Sequence, residues 1–487
     1  MFTVACMLLF SASCVVGQWI GCPYKICTCG GNYLFCNDKN LDAIPEEVAT
    51  KNPVITNLNM DDNQIRFIRT GSLPANLTLI TIQGSPIESI DDDAFDESLN
   101  TLQSLHFCGA RFSQIPAAVL NLRNLITLSI CQTNIGSWDV NGMKRLGSTM
   151  VTLDLDTVGL SEWPTWLEYF IHLTELQLSG GSISSLPEDA LDMVADTLVT
   201  LELQNNSLTS VPKAISKLTC LQTLSLQENK ITDLTWLPQL SKLTNLLLNN
   251  NRLTNATILS NALRVYNSTL YSVTLNANFL TAIPDLWFLT QLQSIDLTNN
   301  HISDVNSGGF PVGISDVTLG SNLLRSIPMV MKYLNYVSKL KLNANRISAI
   351  QGWDFPPATD GADFGYNLIT AISKSCFPAN SRISFIVLSY NPISQISTDA
   401  FDNVPHLMEL SIQHSKLTRL PMAVASLSLL NYFDVSDSAN LVCTCLEKQL
   451  ESRISAMMAD NVVGNCGPTS IYFFFTQLSH DCPSYLL

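Results

Sequence analysis

One eleven-residue pattern recurs along most of this chain of 487 residues. Apolar residues occupy its positions 1, 4, 6 and 11 and asparagine its position 9, as in the segment from Leu198 to Leu208. The first apolar position gives 17 starts between residues 55 and 430, spaced 22 to 27 residues apart. Such a period is typical of solenoids, in which each repeat forms one coil. A solenoid becomes longer with each repeat that is added, so the length of this chain does not require several domains.

The pattern also predicts the structure of each coil. A short strand forms around positions 4 to 6, so that positions 4 and 6 point into the core while positions 3, 5 and 7 face outward. Neighbouring strands then stack in parallel into one continuous sheet on the concave side. The amide at position 9 can satisfy backbone groups where the chain leaves the strand. No repeat buries its own apolar edge, so both end coils need caps.

The net charge of the chain argues against two classes of binding partner. Asp and Glu number 41 against 26 Lys and Arg, which gives a net charge of −15. Nucleic acids and anionic membrane surfaces bind through clustered Lys and Arg. The composition therefore predicts no nucleic-acid partner and no polybasic membrane contact.

The chain ends predict export. Residues 2–16 form a short apolar run that ends before Gly17, which indicates a secretory signal peptide over residues 1–17, although no Lys or Arg precedes the run. The alternative is a buried first strand. Near the other end, the apolar cluster of residues 471–475 is too short to cross a bilayer. We expect a secreted, extracellular protein with no membrane anchor.

Twelve cysteines follow residue 17, and eight of them flank the repeats. The first group is Cys22, Cys27, Cys29 and Cys36, and the second is Cys443, Cys445, Cys466 and Cys482. Four cysteines allow three pairings, and spaced cysteines also suit zinc. Predicted export and the lack of adjacent histidines favour disulfides over a metal site.

With these cysteine groups, the repeats resemble secreted animal leucine-rich-repeat proteins with flanking caps, such as Slit, Toll-type ectodomains and lamprey variable lymphocyte receptors. The resemblance implies an α/β solenoid: a leucine-rich-repeat horseshoe with a parallel β-sheet on its concave face and disulfide caps at both ends. It implies a cap over residues 18–54, repeats over 55–440 and a cap over 441–487. The implied disulfides are Cys22–Cys29, Cys27–Cys36, Cys443–Cys466 and Cys445–Cys482.

Four cysteines lie within the repeats. Cys108 and Cys131 both occupy position 7 of adjacent repeats. Neighbouring strands lie about 4.8 Å apart, which is within the Cα separation that a disulfide needs. We therefore predict a Cys108–Cys131 bond. Cys220 and Cys376 lie several coils apart and are predicted to be unpaired and buried.

Residues that carry chemistry are sparse. The six histidines fall in different coils, and no metalloprotease, nucleophile-elbow, phosphate-loop or calcium-loop motif occurs. We therefore predict no catalytic residue, no metal and no cofactor, and a protein that is not an enzyme.

The outward positions of the predicted sheet are mainly acidic. Nine acids are opposed only by Lys339 and Lys341. Six residues in three successive coils form the candidate binding patch: Asp154, Asp156, Glu175, Gln177, Glu202 and Gln204. Such a patch would steer a basic partner. The alternative is that an acidic protein scatters acids over its whole surface.

Two further features are local. The repeats that start at residues 102 to 173 lack the asparagine at position 9. Trp138, Trp163 and Trp166 lie near these irregular repeats, which indicates either a ligand site or a change in packing. Sequons at Asn76, Asn205, Asn255 and Asn267 predict N-glycans. Asn205 directly precedes a ladder asparagine, which argues against its use.

The sequence predicts a secreted scaffold for recognition or adhesion that binds another protein or extracellular macromolecule through its concave face. An alternative is a non-catalytic subunit or inhibitor of a secreted enzyme. The paired modules of Ile-Pro and Asp-Ala-Phe coils resemble crustacean proteins likened to the non-catalytic subunit of Oplophorus luciferase. A structural matrix component is a third class.

Overall fold

The computed structural model describes residue 22 and residues 24–45 and 55–482. The predicted signal peptide lies outside these residues, as does part of the predicted N-terminal cap. The chain forms two compact units, one up to Gly181 and one from Ser182 onward. None of the described helices is both long and apolar enough to cross a membrane.

The first unit is built on a parallel sheet, with one antiparallel hairpin, β1 and β2, at its start. After β2 the sheet contains β3, β5 and β7 to β10, while β4 and β6 form a separate parallel pair. Its strands are β1 Thr28–Gly30, β2 Tyr33–Phe35, β3 Asn57–Asn59, β4 Phe67–Ile68, β5 Leu79–Gln83, β6 Ser89–Ile90, β7 Ser104–Cys108, β8 Thr127–Cys131, β9 Thr152–Asp156 and β10 Glu175–Ser179. Its helical segments are α1 Ala117–Leu120, α2 Val140–Gly147 and the 3₁₀ turns Asp96–Ser98 and Thr165–Tyr169.

The second unit repeats the same coil. Its main sheet contains β11 to β18, β20 and β22 to β24, all parallel. These strands are β11 Thr200–Glu202, β12 Thr223–Ser225, β13 Asn245–Leu247, β14 Ser272–Thr274, β15 Ser294–Asp296, β16 Asp316–Thr318, β17 Tyr336–Lys341, β18 Ala358–Asp363, β20 Phe385–Val387, β22 Glu409–Ser411, β23 Tyr432–Asp434 and β24 Val462–Val463. Two small sheets pair β19 Ala371–Ile372 with β21 Gln395–Ile396, and β25 Asn465–Cys466 with β26 Thr469–Ser470.

Helical segments of the second unit are short. They are α3 Ala256–Leu263, α4 Glu451–Ile454, α5 Ile471–Phe473, a π-helical turn Phe474–Leu478, and the 3₁₀ turns Asp192–Val194, Lys213–Lys217, Arg264–Tyr266, Met329–Tyr333, Gly352–Asp354, Lys374–Cys376, Met422–Ser426, Cys445–Leu450, Ala459–Asn461 and Ser479–Asp481. Several of these turns follow the Val-Pro, Ile-Pro or Leu-Pro pairs, because proline fixes the first φ of a turn and has no N–H to satisfy.

Burial in the strands alternates as the pattern predicts. In β9, Leu153 and Leu155 are fully buried, while Asp154 and Asp156 are only partly covered. Both units therefore have the predicted leucine-rich-repeat fold, with an apolar core on one side of a parallel sheet.

The asparagine ladder is continuous from Asn229 to Asn391. Asn300 is typical: its Oδ1 accepts from the N–H of Leu280 at 3.0 Å, and its Nδ2 donates to the carbonyls of Leu275 and Leu297 at 3.0 and 3.1 Å. Each ladder amide thus joins its own coil to the preceding one. Near the end of the unit, Ser415 and Ser438 take the same position and contact each other at 2.9 Å.

Five disulfides occur among the described residues. The cap pairs are Cys22–Cys29, Cys27–Cys36, Cys443–Cys466 and Cys445–Cys482, as the resemblance implies. Cys108 and Cys131 are opposite each other in β7 and β8, with a Cα separation of 4.4 Å, and are bonded.

Two further cysteines of the described residues, Cys220 and Cys376, are unpaired, but they differ in burial. Cys376 is buried, whereas Cys220 is exposed, so the prediction that Cys220 is buried is wrong. Cys220 directly precedes position 1 of its repeat. Leu221 takes the inward direction there and is fully buried, so the side chain before it turns to the surface.

Candidate binding surface

The sheet face comprises the outward side chains at positions 3, 5 and 7 of the strands. In the first unit, four residues of the candidate patch lie on the adjacent strands β9 and β10. Gln177 is opposite Asp154, and Glu175 is opposite Thr152. Asp156 lies two residues after Asp154 in β9 and is on the same face. The structure therefore brings Asp154, Asp156, Glu175 and Gln177 together.

Hydroxyl groups donate hydrogen bonds to two of these carboxylates. Ser129 donates to Asp154 at 2.8 Å, and Ser179 donates to Asp156 at 2.6 Å. No lysine or arginine occupies a sheet-face position in the described strands of this unit. The described strands next to the patch therefore contribute acidic and neutral polar side chains to this face.

Glu202 and Gln204 belong to the second unit. The Nε2 of Gln204 donates to the Glu202 carboxylate at 3.0 Å, and Glu202 is opposite Ser225 of β12. The six predicted residues therefore fall in two units, and their grouping as one patch stays a prediction.

Both sheet-face lysines of the second unit are paired with acids. Lys341 contacts Asp316 at 3.1 Å, and Lys339 contacts Asp363 at 3.8 Å and lies 5.0 Å from the centre of the Phe385 ring. The positive charges of Lys339 and Lys341 are therefore balanced by acids of the same chain. The sheet face stays acidic overall.

Sequence reasoning missed one acid of this surface. Asp434 is almost fully buried, and it accepts hydrogen bonds from Ser436 N–H and Oγ at 2.9 and 2.7 Å and from Tyr432 at 3.2 Å. Gln413 donates to it as well. Asp434 occupies position 5 of the last repeat, and this position could have identified it from the sequence.

An aromatic column was also missed. It consists of Tyr366, Tyr390 and His414, which occupy position 8 of three successive repeats at the edge of the second unit's sheet. The rings of Tyr366 and Tyr390 lie 4.2 Å apart and 6° from parallel, and the rings of Tyr390 and His414 lie 5.1 Å apart. Aligning the repeats by position 8 reveals the three aromatic residues.

The irregular coils of the first unit are explained by packing. Trp163 and Trp166 are buried, and the Trp166 ring lies 5.0 Å from Trp138 and 5.4 Å from Phe170. Thr133 takes the place of the ladder asparagine and donates to the carbonyl of Cys131 at 2.9 Å. Trp163 and Trp166 are therefore core residues of their coils.

All four sequon asparagines are exposed: Asn76, Asn205, Asn255 and Asn267. Asn255 caps α3 through its Oδ1, which accepts from the N–H groups of Thr257 and Ile258. Asn205 has a left-handed backbone with φ of 53° and points outward beside the buried Asn206. Burial therefore does not argue against any of the four sites, and their use stays a prediction.

Comparison with known proteins agrees with the fold. A model of the leucine-rich repeat matches residues 171–231, 196–253 and 381–440. Human leucine-rich repeats and immunoglobulin-like domains protein 1 is 26% identical over 149 residues, which are 30% of this chain and 14% of that protein. Human podocan-like protein 1 is 23% identical over 421 residues, or 83% of this chain and 75% of that protein.

Among solved structures, that of the Toll–Spatzle complex of Drosophila aligns with a TM-score of 0.55 and 17% identity. The alignment covers 86% of this chain and 59% of that one. At this identity the likeness concerns the fold alone. Repeat pattern, sheet, asparagine ladder and caps lead to the same conclusion: the chain has the leucine-rich-repeat fold, and its repeats are flanked by disulfide-bonded caps.

Proposed function

We propose that this protein is an extracellular scaffold that binds another protein through its sheet face, and that its partner presents a basic surface. The observation that carries the proposal is the grouping of three acids, Asp154, Asp156 and Glu175, on adjacent strands of one sheet face. Complementary potential of this kind speeds association and suppresses wrong partners.

An extracellular location fits the chemistry of the cysteines. Disulfides form and persist in oxidising compartments and are rare in the cytosol. Ten cysteines of the described residues are paired in five disulfides. The signal peptide predicted over residues 1–17 would direct the chain to such a compartment.

Binding rather than catalysis suits this surface. Its side chains are mainly Asp, Glu, Gln, Ser and Thr set out at the regular spacing of the strands, which offers many hydrogen-bonding groups to a large partner. The name of the Toll–Spatzle structure describes a complex of those two proteins. We propose that this chain also binds a protein partner.

The test is capture of partners from extracellular fluid with the intact chain and with the variant Asp154→Lys with Glu202→Lys. A matched control carries Asp92→Lys with Asp189→Lys, two exposed acids of the same two units that lie outside the sheet faces. The control changes the net charge equally, so it separates a local site from bulk acidity.

We expect wild type and control to capture the same partner, and the sheet-face variant to bind it at least about tenfold more weakly and with a shallower dependence on salt. All three proteins should share one thermal unfolding midpoint. Unchanged capture by the sheet-face variant would remove the patch from the proposal, and loss of binding in the control as well would assign the effect to overall charge.

A further inference from the structure

A cavity of about 720 Å³ lies where the last repeat of the second unit meets the C-terminal cap. Its lining comes from the turn after β23, from the end of β24 and the segment after it, and from His414 of the preceding coil. Because β23 and β24 pair in parallel, the cavity lies at the carboxyl ends of these two strands.

The His414 ring borders this cavity with one of its faces. Tyr390 stacks on the other face, with the ring centres 5.1 Å apart and the planes 20° from parallel. Asp437 follows His414 in the row of position 8 residues, and both residues line the cavity. Their φ values are 52° and 57°, so the two side chains leave the backbone in the same direction. The aromatic column therefore ends at an open imidazole face beside a carboxylate.

The charge of the cavity is negative. The carboxylate of Asp437 has no hydrogen bond or ion pair with another of the described residues. A second carboxylate, that of the buried Asp434, lies directly behind the lining and accepts hydrogen bonds from the lining residue Ser436. No lysine or arginine is among the lining residues, and Lys416, two residues after His414, is exposed outside them. A cation in the cavity would therefore be attracted.

We propose that this cavity binds the guanidinium group of an arginine from the protein partner. A guanidinium carries only N–H donors, which suit the free acceptor oxygens of Asp437, and its flat face stacks on aromatic rings such as that of His414. The volume of the cavity leaves room for the residues that flank the arginine. The proposal rests on the proposed function and names one side chain through which a basic partner would bind the second unit.

Three small probes separate the contributions of charge and of ring stacking. They are the N-acetyl amides of arginine, of lysine and of citrulline, which has the shape of arginine without its charge. Lysine would pair with Asp437 but stack less well on His414, because its ammonium group is compact rather than flat. Citrulline would stack on the ring but gain nothing from the carboxylate.

Binding is measured on the intact chain by NMR of carbon-13-labelled histidine rings. The signal of His414 is assigned by its loss in His414→Asn. Because this signal reports only on the cavity, binding of a cation to other acids of a chain with net charge −15 does not contribute to it.

The decisive variant is Asp437→Asn, which removes the charge and keeps the size of the side chain. Asparagine tolerates the left-handed backbone at this position. Glu228→Gln is the matched control, because Glu228 also occupies position 8 in the second unit, has φ of 55° and is exposed outside the cavity. Both variants therefore remove one negative charge from the same row.

We expect the arginine amide to shift the His414 signal of the wild type with a Kd about fivefold lower than that of the citrulline amide, the size of an exposed ion pair. The Kd of the lysine amide should lie about threefold above that of the arginine amide, because it lacks the stacking contact. Glu228→Gln should keep both differences, and Asp437→Asn should bind the arginine and citrulline amides equally.

Equal Kd values for the arginine and citrulline amides in the wild type would overturn the proposal, as would a preference for arginine that survives in Asp437→Asn. Equal binding of the lysine and arginine amides would overturn the stacking on His414 and with it the choice of arginine. The titration needs no captured partner, so its failure is distinct from a failure of the capture experiment.

Discussion

A single asparagine closes each regular coil of the second unit. The amide of Asn300 forms hydrogen bonds of about 3 Å with one N–H and two carbonyl groups in the buried interior, where a polar group without a partner is costly. The neighbouring residue, Asn299, has φ of 57° and is exposed. Two adjacent residues of one type thus perform different tasks, one as a hydrogen-bonding hub and one as a left-handed turn residue.

His106 makes the stability of the first unit depend on pH. It lies in the middle of the sheet face, between Thr81 and Ser129, where burial lowers its pKa from the ordinary value while the charge of Asp61 opposes the shift. A histidine with a lowered pKa stays neutral in the folded chain when the unfolded chain already binds a proton. The free energy of unfolding therefore falls as the pH drops below about 6.5.

We expect His106→Gln to reduce this loss of stability between pH 7.5 and pH 5, as measured by urea unfolding at each pH. His172→Gln, at an exposed position of the same unit, should retain the wild-type pH dependence. Identical pH profiles for wild type and His106→Gln would contradict the assignment.

At the scale of elements, the strand pair β7 and β8 carries a disulfide that joins two neighbouring strands of the sheet. Cys108 and Cys131 are register partners on the sheet face, and their bond closes a loop between residues 23 positions apart. These same two coils lack the ladder asparagine and have Ala110 and Thr133 at its position. The disulfide therefore ties two coils together where the amide hydrogen bonds are missing.

Replacing both cysteines by serine should lower the free energy of unfolding by about 2–4 kcal/mol, because the open loop gains entropy in the unfolded chain. Cys220→Ser, at an exposed and unpaired position, should leave it unchanged. Urea unfolding gives both values, and peptide mapping without reductant checks the bond directly. Two free thiols at Cys108 and Cys131 in that map would contradict the pairing.

At the scale of the whole molecule, an apolar and sparsely charged chain has to stay in solution. Hydrophobic residues make up 46% of the chain and charged residues only 14%. Leu, Ile and Val fill the core of each unit, while Asn, Thr, Ser and Gln cover much of the sheet face. Solubility therefore depends on neutral polar groups and on the net negative charge.

Export and N-glycosylation can be tested together. Expressed with its own first residues in animal cells, the chain should reach the medium, and treatment with a glycosidase that converts glycosylated asparagine to aspartate should mark the exposed sequons Asn76, Asn205, Asn255 and Asn267. Changing each asparagine to glutamine should remove its own mark. Retention of the chain in the cytosol would contradict the predicted secretion.

Much of each coil could be predicted because its determinants are local. The alternation in β9 set which side chains face the core, and the shared position of Cys108 and Cys131 set their register, since parallel strands of equal length align by repeat. Asp154, Asp156, Glu175 and Gln177 were placed on one face by the same counting.

The sequence by itself determined the repeat, the inward and outward faces and the pairing of Cys108 with Cys131, because these depend on period and spacing. Only the tertiary structure decided the division at Gly181, the exposure of Cys220 and the stacking of Tyr366 on Tyr390. The exposure of Cys220 and the stacking of Tyr366 on Tyr390 depend on where a side chain outside the repeating core positions points, and that direction is set by the packing of neighbouring coils.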